Sequence, residues 1–118
     1  MPHVSIEFSK GLERDNDIQS VCEELHTALA ATDVFDPPTI KVRAKPVEFS
    51  CVGGEAQTFV HATLLLMAGR DEPTRKSLNK TILDVLGKAL PGVESITVQD
   101  VEMTRATYAG LRLKSALA

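Results

Sequence analysis

Met1-Pro2-His3-Val4-Ser5-Ile6-Glu7-Phe8 opens the chain, and its reading decides how the rest is read. Val4, Ile6 and Phe8 alternate with His3, Ser5 and Glu7, which is the period of a strand with one apolar face. Proline is tolerated as the first residue of a strand, where it need not donate a ladder hydrogen bond. Removal of Met1 would turn Pro2 into a free secondary amine at that strand's start. An α-amino group titrates near neutral pH, and burial or nearby cations lower its pKa. Such an amine is suited to act as a general base around pH 7. With Met1 in place the Pro2 nitrogen is an amide and has no such chemistry.

Working outward, Ser9-Lys10-Gly11 signals a turn, and Asp15, Asn16 and Asp17 offer caps for a helix. Ile18, Val21, Cys22, Leu25 and Leu29 recur at helical spacing, which predicts a helix over roughly 15–31. Pro37-Pro38 closes the following loop. Thr39 to Lys45 alternates again: Ile40, Val42 and Ala44 on one face, Lys41, Arg43 and Lys45 on the other. A row of three cations is either an edge-protecting surface or an anion site. Residues 46–57, with Gly53-Gly54, read as a loop or ragged hairpin.

Thr58 to Ala68 is apolar on both faces around Leu64-Leu65-Leu66, as expected of a central strand covered on both sides. Asp71-Glu72-Pro73 opens a second helix, whose stripe of Leu78, Ile82, Val85, Leu86 and Leu90 runs to Pro91-Gly92. Ser95 to Met103 alternates as a last strand, and the tail from Thr104 to Ala118 is weakly patterned, with a short edge strand or helix expected. The chain therefore reads as two βαβ units, about 1–46 and 58–104, in a single domain spanning 1–118. Parallel strands within each unit and right-handed crossovers give a four-stranded sheet with both helices on one face. Val4, Ile6, Ile40, Val42, Ile96 and Val98 supply apolar positions on these strands, so the uncovered face is expected to be buried by oligomerisation.

Composition narrows the function. The 118 residues are ordinary in hydrophobic content, and the net charge of −3 offers nothing global for nucleic acid. Residues 1–59 hold five Lys/Arg against ten Asp/Glu, and residues 60–118 hold eight against six. The longest apolar run, Phe59 to Ala68, is too short to span a bilayer. The first ten residues have no apolar core segment, so no signal peptide is expected and the cytoplasm is the expected compartment. Cys22 and Cys51 match no metal spacing, and no His, Cys and carboxylate cluster does either, so no metal is expected. His3 and His61 are read as structural, hydrogen-bonded at a subunit or sheet contact.

The pattern resembles the tautomerase superfamily, whose members share a tandem βαβ fold and an amino-terminal proline. It is more closely similar to the 5-carboxymethyl-2-hydroxymuconate isomerase family. The matching stretches are Met1-Pro2-His3, Leu29-Ala30-Ala31-Thr32 with Phe35, and Phe59-Val60-His61 with Ala68-Gly69-Arg70. They are spread over about two-thirds of the chain, and the last 15 residues match poorly. The resemblance implies a cofactor-free homotrimer in homoprotocatechuate catabolism, downstream of 4-hydroxyphenylacetate. The reaction implied converts an unsaturated 2-hydroxy dicarboxylate to its 2-oxo form. By the same resemblance Pro2 is the catalytic base and Arg70 binds substrate carboxylate.

A second family arginine falls on Lys41, which keeps the charge but loses the bidentate fork. Arg43, two residues on, points to the same side and is placed to take over. Proton transfer of this kind needs a base with a pKa near ambient pH and cations where negative charge accumulates. Two other readings stand beside it. One is a tautomerase-superfamily enzyme acting on a different keto or enol acid; the other is a non-catalytic trimeric binding module.

Overall fold

The alternation at the start of the chain becomes β1, His3–Ser9, with Val4, Ile6 and Phe8 buried. The computed structural model describes residues 1–55 and 57–113. One helical turn, α1 (Leu12–Asp15), precedes the main helix α2 (Ile18–Ala30). The helix expected over roughly 15–31 is α2, starting at Ile18, and the turn of α1 before it is an addition. Asn16 is extended and donates its side-chain amide to the Leu12 carbonyl at 2.9 Å, a local bond that competes with helix continuation. Asp17 is the cap of α2, accepting from the Ser20 amide at 3.1 Å. A 3₁₀ turn, Pro37–Thr39, leads into β2 (Lys41–Val47), which runs two residues further than the alternation predicts. Pro46 is accepted there because β2 is an edge strand.

The second half repeats the plan. β3 is Phe59–Met67, α3 is Glu72–Ala89 and β4 is Ser95–Met103. Asp71 caps α3 by accepting from the Thr74 amide at 2.9 Å, with Pro73 in the first turn. The strand order is β2-β1-β3-β4. β1 pairs parallel with β2, β3 pairs parallel with β4, and β1 and β3 join the two units antiparallel at the centre. This is the tandem βαβ sheet expected, with α2 and α3 packed on one face. Val21, Leu25 and Leu29 of α2 and Leu78, Ile82 and Leu86 of α3 close over Val4, Ile6, Val60, Ala62, Leu64 and Leu66. Leu64 is fully buried at the middle of β3. Leu64→Ala should cost about 2–5 kcal/mol, because the surrounding elements collapse only partly onto the cavity. Chemical denaturation checks this.

Two expectations are corrected. β3 is covered on one face only: Val60, Ala62, Leu64 and Leu66 are buried, while Phe59, His61, Thr63 and Leu65 are half-exposed. The open face is also more polar than expected. Val4 and Ile6 point under the helices, and Val42, Ile96 and Val98 pack against the same core. What remains outside are the rows Lys41-His3-Leu65-Val101, Arg43-Ser5-Thr63-Gln99 and Lys45-Glu7-His61-Thr97. An apolar open face therefore gives no reason for this protein to oligomerise. Alternation tells which residues share a face. It does not tell which face the helices will cover.

Between β2 and β3, Val52 and Glu55 exchange backbone hydrogen bonds at 3.1 and 3.0 Å around Gly53-Gly54. After β4 the chain makes a turn at 104–107, without the strand or helix expected of the tail up to residue 113. The rest of that expectation lies outside the described residues. α3 and β4 are clamped by Asp100, which accepts from Arg75 and from Asn79, each at 2.9 Å. These bonds hold the Asp100 carboxyl below the usual carboxylate range. No helix among the described residues is long and apolar enough to cross a membrane.

Candidate active site

The topology puts four strand ends together. β1 and β2 start where β3 and β4 finish, since β1 runs antiparallel to β3. Pro2 is fully buried at this end, and its carbonyl accepts from the Lys41 amide at 3.0 Å, which locks the start of β1 to the start of β2. The amino group of Met1 donates to Thr39 Oγ1 at 3.1 Å. Thr39 Oγ1 donates in turn to the Asp36 carbonyl at 2.6 Å.

Arg70 reaches the same end from the far side of β3. Gly69, with φ 125°, makes the left-handed bend after the strand that a side chain would resist. The Arg70 guanidinium then lies 4.9 Å from the centre of the Phe35 ring and donates from Nη2 to the Val34 carbonyl at 3.3 Å. Phe35 is buried, so the guanidinium is propped by the core rather than free to swing. Lys41 is anchored by its Nζ on the Thr39 carbonyl at 2.9 Å.

These groups act on the amine. Burial lowers the pKa of the Met1 amino group below its ordinary value of 8.0, and the charges of Lys41, Arg70 and Arg105 lower it further, against the raising influence of Asp36. Of the residues singled out in the sequence, Pro2, Lys41 and Arg70 thus meet at one end of the sheet. Arg43 lies on the open face as Lys41 does, one pair further along, and spends its Nη1 on His3 Nδ1 at 3.1 Å.

His3 carries its other nitrogen to the Tyr108 hydroxyl at 2.8 Å. Its pKa is lowered by burial, and then by the charges of Arg43, Lys41 and the amino terminus. Arg105 and Tyr108 come from the tail, where no periodicity marks them. The one available signal is that Tyr108 is the single tyrosine of the chain. His61 lies elsewhere on the open face. Gln99 donates to its Nε2 at 2.8 Å, so its Nδ1 carries the proton and donates to Thr97 Oγ1 at 2.6 Å.

The model of the 5-carboxymethyl-2-hydroxymuconate isomerase family matches residues 2–99. The chain belongs to this family. It is accordingly an isomerase with the tautomerase-like fold.

Solved structures agree on the fold. A 5-carboxymethyl-2-hydroxymuconate isomerase from Deinococcus radiodurans R1 is 21% identical, covers 95% of this chain and 90% of its own, and superposes with a TM-score of 0.82. A 5-carboxymethyl-2-hydroxymuconate delta-isomerase is also 21% identical, with 97% and 89% covered and a TM-score of 0.74. A fused 4-OT wild-type asymmetric trimer is 17% identical, with 91% and 90% covered and a TM-score of 0.70. Among curated proteins, none matches the sequence. The family match ends at residue 99, so the tail that carries Arg105 and Tyr108 is outside it.

Proposed function

We propose that this isomerase moves a proton within an unsaturated 2-hydroxy dicarboxylate, giving the 2-oxo form, with Pro2 as the base once Met1 is removed. The observation that carries the reading is the pole at the head of β1, where burial and then the charges of Lys41 and Arg70 lower the pKa of the Met1 amino group; the Pro2 amine freed by loss of Met1 would start at the same pole. A lowered pKa leaves the amine neutral and able to take a proton near pH 7. The same cations attract the carboxylates and stabilise negative charge as it develops on the 2-oxygen. Arg70 is the principal carboxylate ligand, Lys41 contributes a point charge, and Arg43 supports through His3. The reaction needs no cofactor, because proton transfer between carbon and oxygen requires only a base and fixed charges. Family membership supports a place in the cytoplasmic catabolism of homoprotocatechuate, downstream of 4-hydroxyphenylacetate. Turnover of 5-carboxymethyl-2-hydroxymuconate compared with phenylpyruvate tests the substrate class. Faster turnover of phenylpyruvate would point to a general keto–enol tautomerase instead.

We propose further that the working form is a homotrimer. With the open face polar, support comes from the sheet's edges. β2 and β4 are edge strands, and a groove of about 740 Å³ between α3 and β4 is lined by Leu83, Ile96 and Val98 together with Lys76, Lys80 and Asp84. Unpaired edges are templates for another chain, and a closed ring uses every one of them without leaving an open end. Light scattering at low micromolar concentration should give a mass near three times 12.8 kDa. A monomer that is folded and active at that concentration would rule the trimer out.

A further inference from the structure

β3 and β4 end level with one another. Met67 pairs with Met103, and the Ala68 amide donates to the Met103 carbonyl at 3.0 Å. Arg70 follows two residues after Ala68, and Arg105 two residues after Met103. Two parallel neighbours therefore each deliver an arginine to the end of the sheet that holds the amino terminus. Beyond β4 the Thr104 carbonyl accepts from the amides of Thr107 and Tyr108, at 3.2 and 3.1 Å, which folds the segment into a tight turn. Arg105 lies in that turn. Among the described residues it has neither an ion-pair partner nor a side-chain hydrogen bond, and it is exposed.

The turn is tethered at its far end. Tyr108 meets the His3 ring edge-on, with centroids 6.0 Å apart and planes at 64°, and their polar atoms are 2.8 Å apart. A guanidinium can only donate, so the Arg43 contact requires His3 Nδ1 to be bare. The imidazole proton is therefore on Nε2 and is given to the Tyr108 oxygen. Arg43 sets the tautomer, His3 passes the constraint on, and Tyr108 fixes the turn beside the residue that follows Pro2. Two cations at one pole suit a ligand with two carboxylates, and Arg70 alone supplies one fork. The effect of Arg105 on the amine's pKa agrees with this placement.

We infer that Arg105 is a second carboxylate-binding residue of this site, and that the chain Arg43–His3–Tyr108 is the positioning device that holds it there. The inference rests on the dicarboxylate reading above and extends it to a segment outside the family match.

Calorimetry with adipate, an inert diacid, and hexanoate, its monoacid counterpart, tests this without requiring turnover. Arg105→Gln should weaken adipate binding about tenfold or more and hexanoate binding less than about threefold, the loss of one charge-assisted contact. Arg105→Lys should fall between, keeping charge without the fork. Tyr108→Phe should weaken adipate several-fold, and Arg105→Gln should add little in that background, because the two act as one unit. In the parent protein, nitrogen-15 spectra should show His3 protonated on Nε2.

Adipate affinity unchanged by Arg105→Gln would overturn the inference, as would a parent protein that does not bind adipate. Fully additive effects, or a His3 proton on Nδ1, would remove Tyr108 from it. A parent protein that binds adipate through Arg105 but turns over no diacid would refute the proposed reaction and leave the anion site standing. Turnover of the diacid with Arg105→Gln indistinguishable in binding and rate would do the reverse.

Discussion

A chain carrying an extra bulky residue between Met1 and Pro2, which blocks removal of the leader methionine, should fold normally and lose about 10²–10⁴-fold in turnover. The Pro2 nitrogen would then be an amide, with no lone pair of useful basicity. Nothing in the core depends on that nitrogen. The contact that holds the head of β1 is the Pro2 carbonyl to the Lys41 amide, which survives. Pro2→Ala with Met1 removed keeps an amine in place, as a primary one with a freer backbone, so its loss should be smaller. Mass spectrometry of the purified chain establishes which amine is present. Near-normal turnover with Met1 still attached would falsify Pro2 as the base.

The sign of the pH dependence follows from the same geometry. The Pro2 amine is active when neutral, and it would start at the pole where burial and then Lys41 and Arg70 lower the pKa of the Met1 amino group, so its own pKa is expected to be lowered too. Activity should therefore rise with pH through that lowered pKa and be flat above it. Lys41→Met removes one lowering influence, so the rising limb should move to higher pH.

The second large effect is expected at Arg70. Arg70→Ala should lower kcat/KM on a dicarboxylate by roughly 10- to 150-fold, the equivalent of about 1.5–3 kcal/mol for one charge-assisted contact. A monoacid should suffer much less. Two roles compete in this residue, because its guanidinium also packs on Phe35 and bonds the Val34 carbonyl. Arg70→Lys separates them: it keeps the charge, loses the fork and weakens the stacking. Equal losses on diacid and monoacid in both variants would assign Arg70 to holding the Val34–Phe35 loop rather than to the ligand. Lys41→Arg is the complementary probe. A gain on the diacid would identify Lys41 as a weakened form of the same contact.

Much of this protein was legible in its sequence, because its elements follow local periods. Val4-Ile6-Phe8 and Val60-Ala62-Leu64-Leu66 alternate for strands, while Leu25-Leu29 and Leu78-Ile82-Leu86 recur for helices. The Met1-Pro2 start, the cationic face of Lys41 and Arg43, and Arg70 after a glycine could be picked out for the same reason: each is a short-range pattern. The extra turn at Leu12–Asp15 was not visible, because four residues are too few to show a period.

The rest was decided by the tertiary structure. The order β2-β1-β3-β4 brings the starts of two strands and the ends of two others to one pole, and only that pairing sets Arg70 and Lys41 around the amine. The polarity of the open face followed from which face the helices chose, and that choice removed the apolar argument for assembly. Arg105 and Tyr108 lie in a tail without period. Their place comes from a level strand ending and from a contact between residues 105 positions apart, which no local pattern encodes.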